Sequence, residues 1–388
     1  MAQLLLIRGA KQLLTLRGPN GVRRGSALDE LSIIEDGSLL IRDGLIAQVG
    51  STRRIENLKE VRGAAEIAVN GAIVLPGFVD ATIQLGPAAS LASGKRQKAS
   101  AFFEESLLLL RSFLHHGTLN AQVRARGQAG IGSDMTLLRQ LARIGNHPIG
   151  MTRSWQVSSQ VCPISTGGDD YGANFPLFAK NKLVQTVEID AALSDTAGEV
   201  LCAAARSSGL AINLSWAGGS AERLSETLDR IRPRAVICNA DLTTDECAAL
   251  SQRSVPVVFS TPKSLTEAKL SDALRSLAAC GAAIALSSGY DAREMPVFNM
   301  QIAIALAVLR FQLSTEQAIT AATINGAHAV GLGHVLGSLE AGKRADLIIM
   351  NLPDYREIPR RFGTNHVGMV IREGKIAFNR PGWKVSAA

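Results

Sequence analysis

Glu188 and Asp190 are the pair of residues best placed by type and spacing to do acid–base chemistry. They close an apolar run that begins at Leu183. Residues two apart on a strand share a face, so both carboxyl groups can point into one site. Two acids in unlike surroundings split their pKa values, and one can then donate a proton while the other accepts. A structural role competes with this reading, because Arg124 or Arg153 can hold either acid in a buried ion pair. Arg124, Arg153, Asn213 and Trp216 are candidates for holding a ligand, since each falls in or just after a strand-like run.

Histidine and cysteine chemistry is sparse. The six histidines are His115, His116, His147, His328, His334 and His366, and none lies between Pro148 and Ala327. No HxH and no helical HxxxH pair occurs, and no Ser-His-Asp order can be built. The five cysteines are widely spaced with no CxxC, which fits free thiols in a reducing compartment. The run Ser165-Thr-Gly-Gly-Asp-Asp-Tyr171 is acidic, but two adjacent Asp without further spaced oxygen ligands describe a turn better than a cation site.

Bulk properties narrow the classes. The chain has 388 residues, a formal charge of +7 and 46% hydrophobic side chains, enough for a large core. Its cations are scattered, with Arg23-Arg24 and Arg360-Arg361 the densest groups, which excludes a nucleic-acid face. The longest apolar stretch, Gln301 to Leu309, is too short to span a bilayer. Met1 to Gly9 lacks a signal-peptide layout. A soluble, cytoplasmic protein is expected.

The elements that must position these residues follow from periodicity. Short β runs (Leu4 to Ile7, Ser32 to Ile34, Leu39 to Ile41, Ile46 to Val49) separated by Asp-Gly turns open the chain. Ala345 to Met350, Val367 to Ile371 and Lys375 to Phe378 close it in the same texture. Between them strand and helix alternate eight times, over the roughly 250 residues that a (β/α)8 barrel uses. The expected fold is a TIM barrel over 77–333 with a small β-sandwich built from 1–76 and 334–388. A doubly wound sheet is the alternative, disfavoured because no Gly-rich phosphate turn follows the first strand.

Three stretches carry a family resemblance: Ile73-Val-Leu-Pro-Gly-Phe-Val-Asp80, Ala321-Ala-Thr-Ile-Asn-Gly-Ala-His-Ala-Val-Gly-Leu332 and Gly337-Ser-Leu-Glu-Ala-Gly-Lys-Arg-Ala-Asp-Leu347. With Asp354-Tyr355 and Arg361-Phe-Gly-Thr-Asn-His-Val367, the chain resembles the amidohydrolase superfamily, closest to imidazolonepropionase-like proteins. The resemblance implies hydrolysis of non-peptide C–N bonds in cyclic amides. It also implies a divalent metal held by two His on strand one, a His on strand five and an Asp on strand eight, with a His after strand six assisting. In this sequence those positions carry Thr82, Gln84, Leu214, Asn239 and Gly289. The loop after strand one, which handles substrate in the family, is reduced here to Gly86 to Ala99 with Lys95, Arg96 and Lys98.

Four expectations follow from the resemblance and its gaps. No divalent metal or other cofactor is expected. The chain is expected to be a catalytically degenerate barrel that binds a small ligand or serves a partner enzyme subunit as a scaffold, as inactive dihydroorotase-like barrels do. The alternative is an atypical hydrolase of a cyclic amide or imine working through Glu188 and Asp190. A homodimer is expected, because the family is dimeric and because the helix from Met300 is apolar on nearly every face, which calls for a second covering surface.

Overall fold

The computed structural model describes residues 3–85, 99–126, 131–157, 172–193, 195–270, 272–383 and 386. The Ser165–Tyr171 run, Cys162 and the cations Lys95, Arg96 and Lys98 lie outside them.

Both chain ends build one eight-stranded sheet. The N-terminal part supplies β1 (Leu4–Leu14), β2 (Ile33–Arg42), β3 (Leu45–Ser51), β4 (Ala65–Ala68) and β5 (Ile73–Pro76). The C-terminal part adds β14 (Leu347–Met350), β15 (Val367–Arg372) and β16 (Lys375–Asn379) beside β5, in the order β16-β15-β14-β5-β1-β2-β3, with β4 on β1. The first half of β1 pairs with β4 and the second half with β5, and its register against β2 shifts between Ile7 and Ala10. Gly9 sits in that shift at φ +70°, where a side chain would be strained. The sheet folds over a core of its own that includes Ile7, Leu13, Ile41, Val74, Ile349 and Met369. A small β domain formed by both ends was legible from the Asp43-Gly44 turn and the alternation of apolar residues, but the Asp36-Gly37 pair expected to separate two β runs lies inside the single strand β2.

The barrel lies between them in sequence. Eight parallel strands run in unbroken neighbour order: β6 (Phe78–Ile83), β7 (Thr118–Arg126), β8 (Gly150–Val157), β9 (Thr186–Asp190), β10 (Ala211–Trp216), β11 (Ala235–Cys238), β12 (Val257–Ser260) and β13 (Ile284–Ser287). Helices follow the strands and cover them. Their outward apolar residues join a single core with the outward residues of the strands, such as Trp155, Leu214 and Phe259. The inward residues are of two kinds. Ala81, Ala235, Ile237, Val258 and Ala285 fill one side of the barrel. On the other side Asn213 donates from Nδ2 to Gln122 Oε1 (2.9 Å), and Arg234 donates from Nη2 to Thr186 Oγ1 (2.6 Å). Branched apolar layers usually fill such barrels, so a half-polar interior is a particular feature of this chain.

Side chains close the seam between the first and last barrel strands. Asp80 on β6 accepts from Ser287 Oγ (2.8 Å), from Ser288 N (3.1 Å) and, at very short range, from Ser288 Oγ. Full burial pushes the Asp80 pKa up to about 6, against the lowering effect of these hydrogen bonds.

The helix Met300–Leu309 finds its second cover within the chain. The short helix Glu357–Arg360 packs on it with Ile358 and Pro359 buried. Ile302 and Leu306 are half-buried, and only Leu309 and Arg310 at its end are exposed.

Candidate functional site

The strand ends meet at one mouth, where a cavity of about 20 Å³ is lined by Thr82, Gln84, Arg124, Asn239, Ser260, Lys263, Gly289 and Asp291, among others. Thr82, Gln84, Asn239 and Gly289, four of the five positions read from sequence, therefore come together in space. Leu214, the fifth, does not. Along β10 the apolar Ile212, Leu214 and Trp216 face the helices, while Asn213 and Ser215 face inward. A one-residue change of phase exchanges the two faces of a strand, so Ser215 is the inward group at this level. It accepts from Asn239 Nδ2 at 2.9 Å.

The candidate acid pair divides as its structural reading described. Glu188 is fully buried, and its Oε2 lies 2.9 Å from Arg124 Nε. Asp190 is half-buried at the end of β9 and accepts from the backbone N–H of Ala192 (3.0 Å), which closes a local turn. One acid is thus neutralised by a guanidinium and the other is occupied by the chain turning after the strand.

Two of the four candidate ligand holders sit elsewhere. Arg153 lies in phase with Met151 and Trp155 on the outer face of β8. It donates from Nε to Leu183 O and from Nη2 to Lys182 O, both 2.8 Å, and so ties down the turn that leads into β9. Trp216 is buried under the helices and donates from Nε1 to Glu246 Oε1 (2.8 Å). Glu246 in turn caps the helix Thr244–Ser251 through Thr243. Asn213 is inside the barrel but below the mouth, on Gln122. Arg124 alone of the four lines the cavity.

Sequence reading missed Ser260, Lys263 and Asp291. Each lies at or beyond a strand's end, where position depends on the course of a loop. Asp291 is buried, accepts from the backbone N–H of Arg293 (2.9 Å) and Glu294 (3.3 Å), and bridges to Gln84. Cys238 also lines the cavity, but burial pushes its pKa up to about 12, so it offers no thiolate near neutrality.

Gly289 is the decisive position. Its φ is +63°, and a Cβ there would lie 2.8 Å from Ser260 Cβ and closer still to Ser260 Oγ, with Lys263 Cε at 3.2 Å. The space that a strand-eight carboxylate would need is already filled.

Comparison with known proteins fits this geometry into a family. A model of the amidohydrolase family matches residues 212–377. The chain is 25% identical to the imidazolonepropionase of Alkaliphilus metalliredigens, with 97% of this chain and 98% of that protein covered. It is 27% identical to that of Solibacter usitatus, with 95% and 97% covered. Among solved structures, the triazine hydrolase of Arthobacter aurescens superposes with a TM-score of 0.76 at 16% identity, covering 98% of this chain and 96% of that one. E. coli guanine deaminase gives 0.69 at 16%, covering 97% and 99%. These structural likenesses confirm the barrel with its small β domain.

The comparisons overturn one expectation. Absence of a divalent metal was inferred from the replaced ligands, yet the amidohydrolase family and the imidazolonepropionase relatives are typically metal-dependent. The family's ligand positions in this chain do not fit such an ion. Among the described residues no three His, Cys, Asp or Glu side chains are grouped to hold one, and Gly289 has no room for a carboxylate. No helix among the described residues is long and apolar enough to cross a membrane.

Proposed function

We propose that this amidohydrolase-family barrel binds a small polar ligand at its mouth, or serves a partner subunit as a scaffold, and does not carry out the ring-opening hydrolysis of its imidazolonepropionase relatives. The observation that carries the reading is Gly289 packed against Ser260. A hydrolase of this family needs a group there that can hold or deprotonate an attacking water, and this backbone leaves no space for one.

The acid pair supports the same reading. A general base must reach the proton it removes. Glu188 is held by Arg124, and Asp190 is spent on the turn at Ala192. Thr82, Gln84, Asn239 and Ser260 are polar without being basic, which suits recognition rather than proton transfer. We extend the proposal to a homodimer, as the family resemblance implies. Light scattering that returned only the mass of one 41.0 kDa chain would contradict that part.

The test is ring opening. Purified protein, supplied with zinc, iron or manganese, is incubated with imidazolone propionate, and loss of the ring is followed by ultraviolet absorption. The rate is expected to match a heat-inactivated control. Sustained multiple turnover would overturn the reading.

A further inference from the structure

We propose that Cys247 and Cys280 form a redox latch. A low-molecular-weight disulfide, such as oxidised glutathione, converts their two thiols into one internal disulfide that ties the helix Thr244–Ser251 to the helix Ala273–Ala279.

These helices follow β11 and β12, pack on one another, and are joined at both ends. Near their N-terminal ends, Asp241 Oδ1 accepts from the backbone N–H groups of Asp272 and Ala273, both at 2.9 Å. Near their C-terminal ends, Arg24 Nη1 donates to Ser251 O (2.7 Å), and the N–H of its neighbour Gly25 donates to Gly281 O (3.0 Å). Gly25 and Gly281 approach so closely that a Cβ on Gly281 would lie 3.2 Å from Gly25 Cα. Within this frame the Cys247 and Cys280 thiols hydrogen-bond to each other. Cys247 is fully buried, whereas Cys280, which ends the second helix, is half-buried and packs against the same core. A disulfide closes without backbone movement only where the two side chains already meet. Hydrogen-bonded thiols on helices fixed at both ends meet that condition. Cys238 is the other thiol of this region, and its Sγ donates to Ala240 O (3.1 Å) at the barrel mouth, which leaves Cys280 as the partner of Cys247.

Exposure sets the order of the two exchanges. The half-buried Cys280 attacks one sulfur of oxidised glutathione as its thiolate. The glutathione S–S bond breaks, and one glutathione leaves as a thiolate that takes up a proton. Cys247 then gives up its proton and attacks the Cys280 sulfur of the mixed disulfide, which expels the second glutathione. Two cysteine thiols are oxidised and one glutathione disulfide is reduced to two glutathione thiols. Burial, with Cys280 alongside, pushes the Cys247 pKa up to about 12. Its thiolate is therefore scarce near neutrality, and the closing exchange speeds up as pH rises. At a reducing poise both residues stay free thiols, and the latch closes when the thiol pool becomes oxidised.

The full chain, reduced and then freed of reductant, is incubated folded with oxidised glutathione at mildly alkaline pH and mapped by peptide mass spectrometry without reduction. A pair of peptides joined through Cys247 and Cys280, lighter than the free thiols by two hydrogens, is expected, and dithiothreitol should restore both thiols. The linked protein should unfold at a higher urea concentration than the reduced protein, because a cross-link restricts the unfolded chain. Cys280→Ser should abolish both the link and the shift. Cys247→Ala, which keeps the buried site apolar, should leave glutathione held on Cys280 as a lasting mixed disulfide. The proposal is overturned if wild-type Cys280 keeps its glutathione without closing, if Cys247 bonds to Cys238 instead, if neither cysteine reacts in the folded protein, or if the linked and reduced proteins unfold at the same urea concentration.

Discussion

Gly289→Ala is expected to destabilise the fold by about 2–5 kcal/mol, although it adds only a methyl group. The figure has two parts. A residue other than glycine at φ +63° pays about 1–2 kcal/mol for the left-handed conformation. A Cβ placed 2.8 Å from Ser260 Cβ, with Ser260 Oγ closer, overpacks a filled space, which costs about 1–3 kcal/mol. The second part is removable. Ser260→Gly deletes both obstructing atoms, so the double variant should recover most of the overpacking and keep the backbone term. Urea unfolding of the four proteins gives the double-mutant cycle, and a coupling of at least about 1 kcal/mol is expected for groups in contact. A Gly289→Ala variant within about 0.5 kcal/mol of wild type, the scatter of ordinary surface changes, would refute the reasoning. The site would then have space for a carboxylate after all.

Three further outcomes follow from the same geometry. Burial raises the Asp80 pKa to about 6 from its ordinary value of 3.8, so its protonated form is favoured by folding. Its stabilising effect is complete below about pH 4 and is lost as pH rises through 6, about 3 kcal/mol in all; Asp80→Asn should remove that slope from urea midpoints measured across this range, and an unchanged slope would contradict the burial account. Arg124→Met should cost about 3–5 kcal/mol by taking the guanidinium away from the buried Glu188 carboxylate, and adding Glu188→Leu should recover part of that loss; additive losses in denaturant titrations would show that the two do not form a pair. Trp216→Phe should cost about 1–3 kcal/mol by stranding Glu246 Oε1, and a urea midpoint equal to that of wild type would show that this hydrogen bond does not support the strand end.

The barrel was legible because eight apolar runs of strand length alternate with amphipathic helical runs, and only a closed parallel sheet buries all of them. The two-ended β domain was legible from Asp43-Gly44 and Glu373-Gly374, which turn β2 into β3 and β15 into β16 with the non-glycine residue at positive φ; Asp36-Gly37, read as a third turn, lies inside the continuous strand β2, where Asp36 takes positive φ beside the register shift against β1. The phase of β10 was misjudged for a physical reason. Ile212, Leu214 and Trp216 alternate with Asn213 and Ser215, and the apolar set was assigned inward at Leu214. Here the inner wall is polar on that side, so the apolar set covers the helix face. Arg153 was misplaced likewise, since it shares its phase with Trp155, whose ring packs on Phe175 and Phe178. Lys263 and Asp291 were out of reach of periodicity, because they belong to loops whose course depends on tertiary packing. The metal expectation failed differently. Missing ligands in a sequence describe one set of positions, and the family they were compared with is a metal-using one.

The most direct test of the central claim is a single-turnover experiment with protein in excess over a cyclic amide, in water enriched in oxygen-18 and with divalent metal supplied. NMR and mass spectrometry follow the ring and the label. The amide is predicted to remain closed and unlabelled over many hours. Appearance of an oxygen-18 carboxylate, at a rate abolished by Glu188→Gln, would contradict the account.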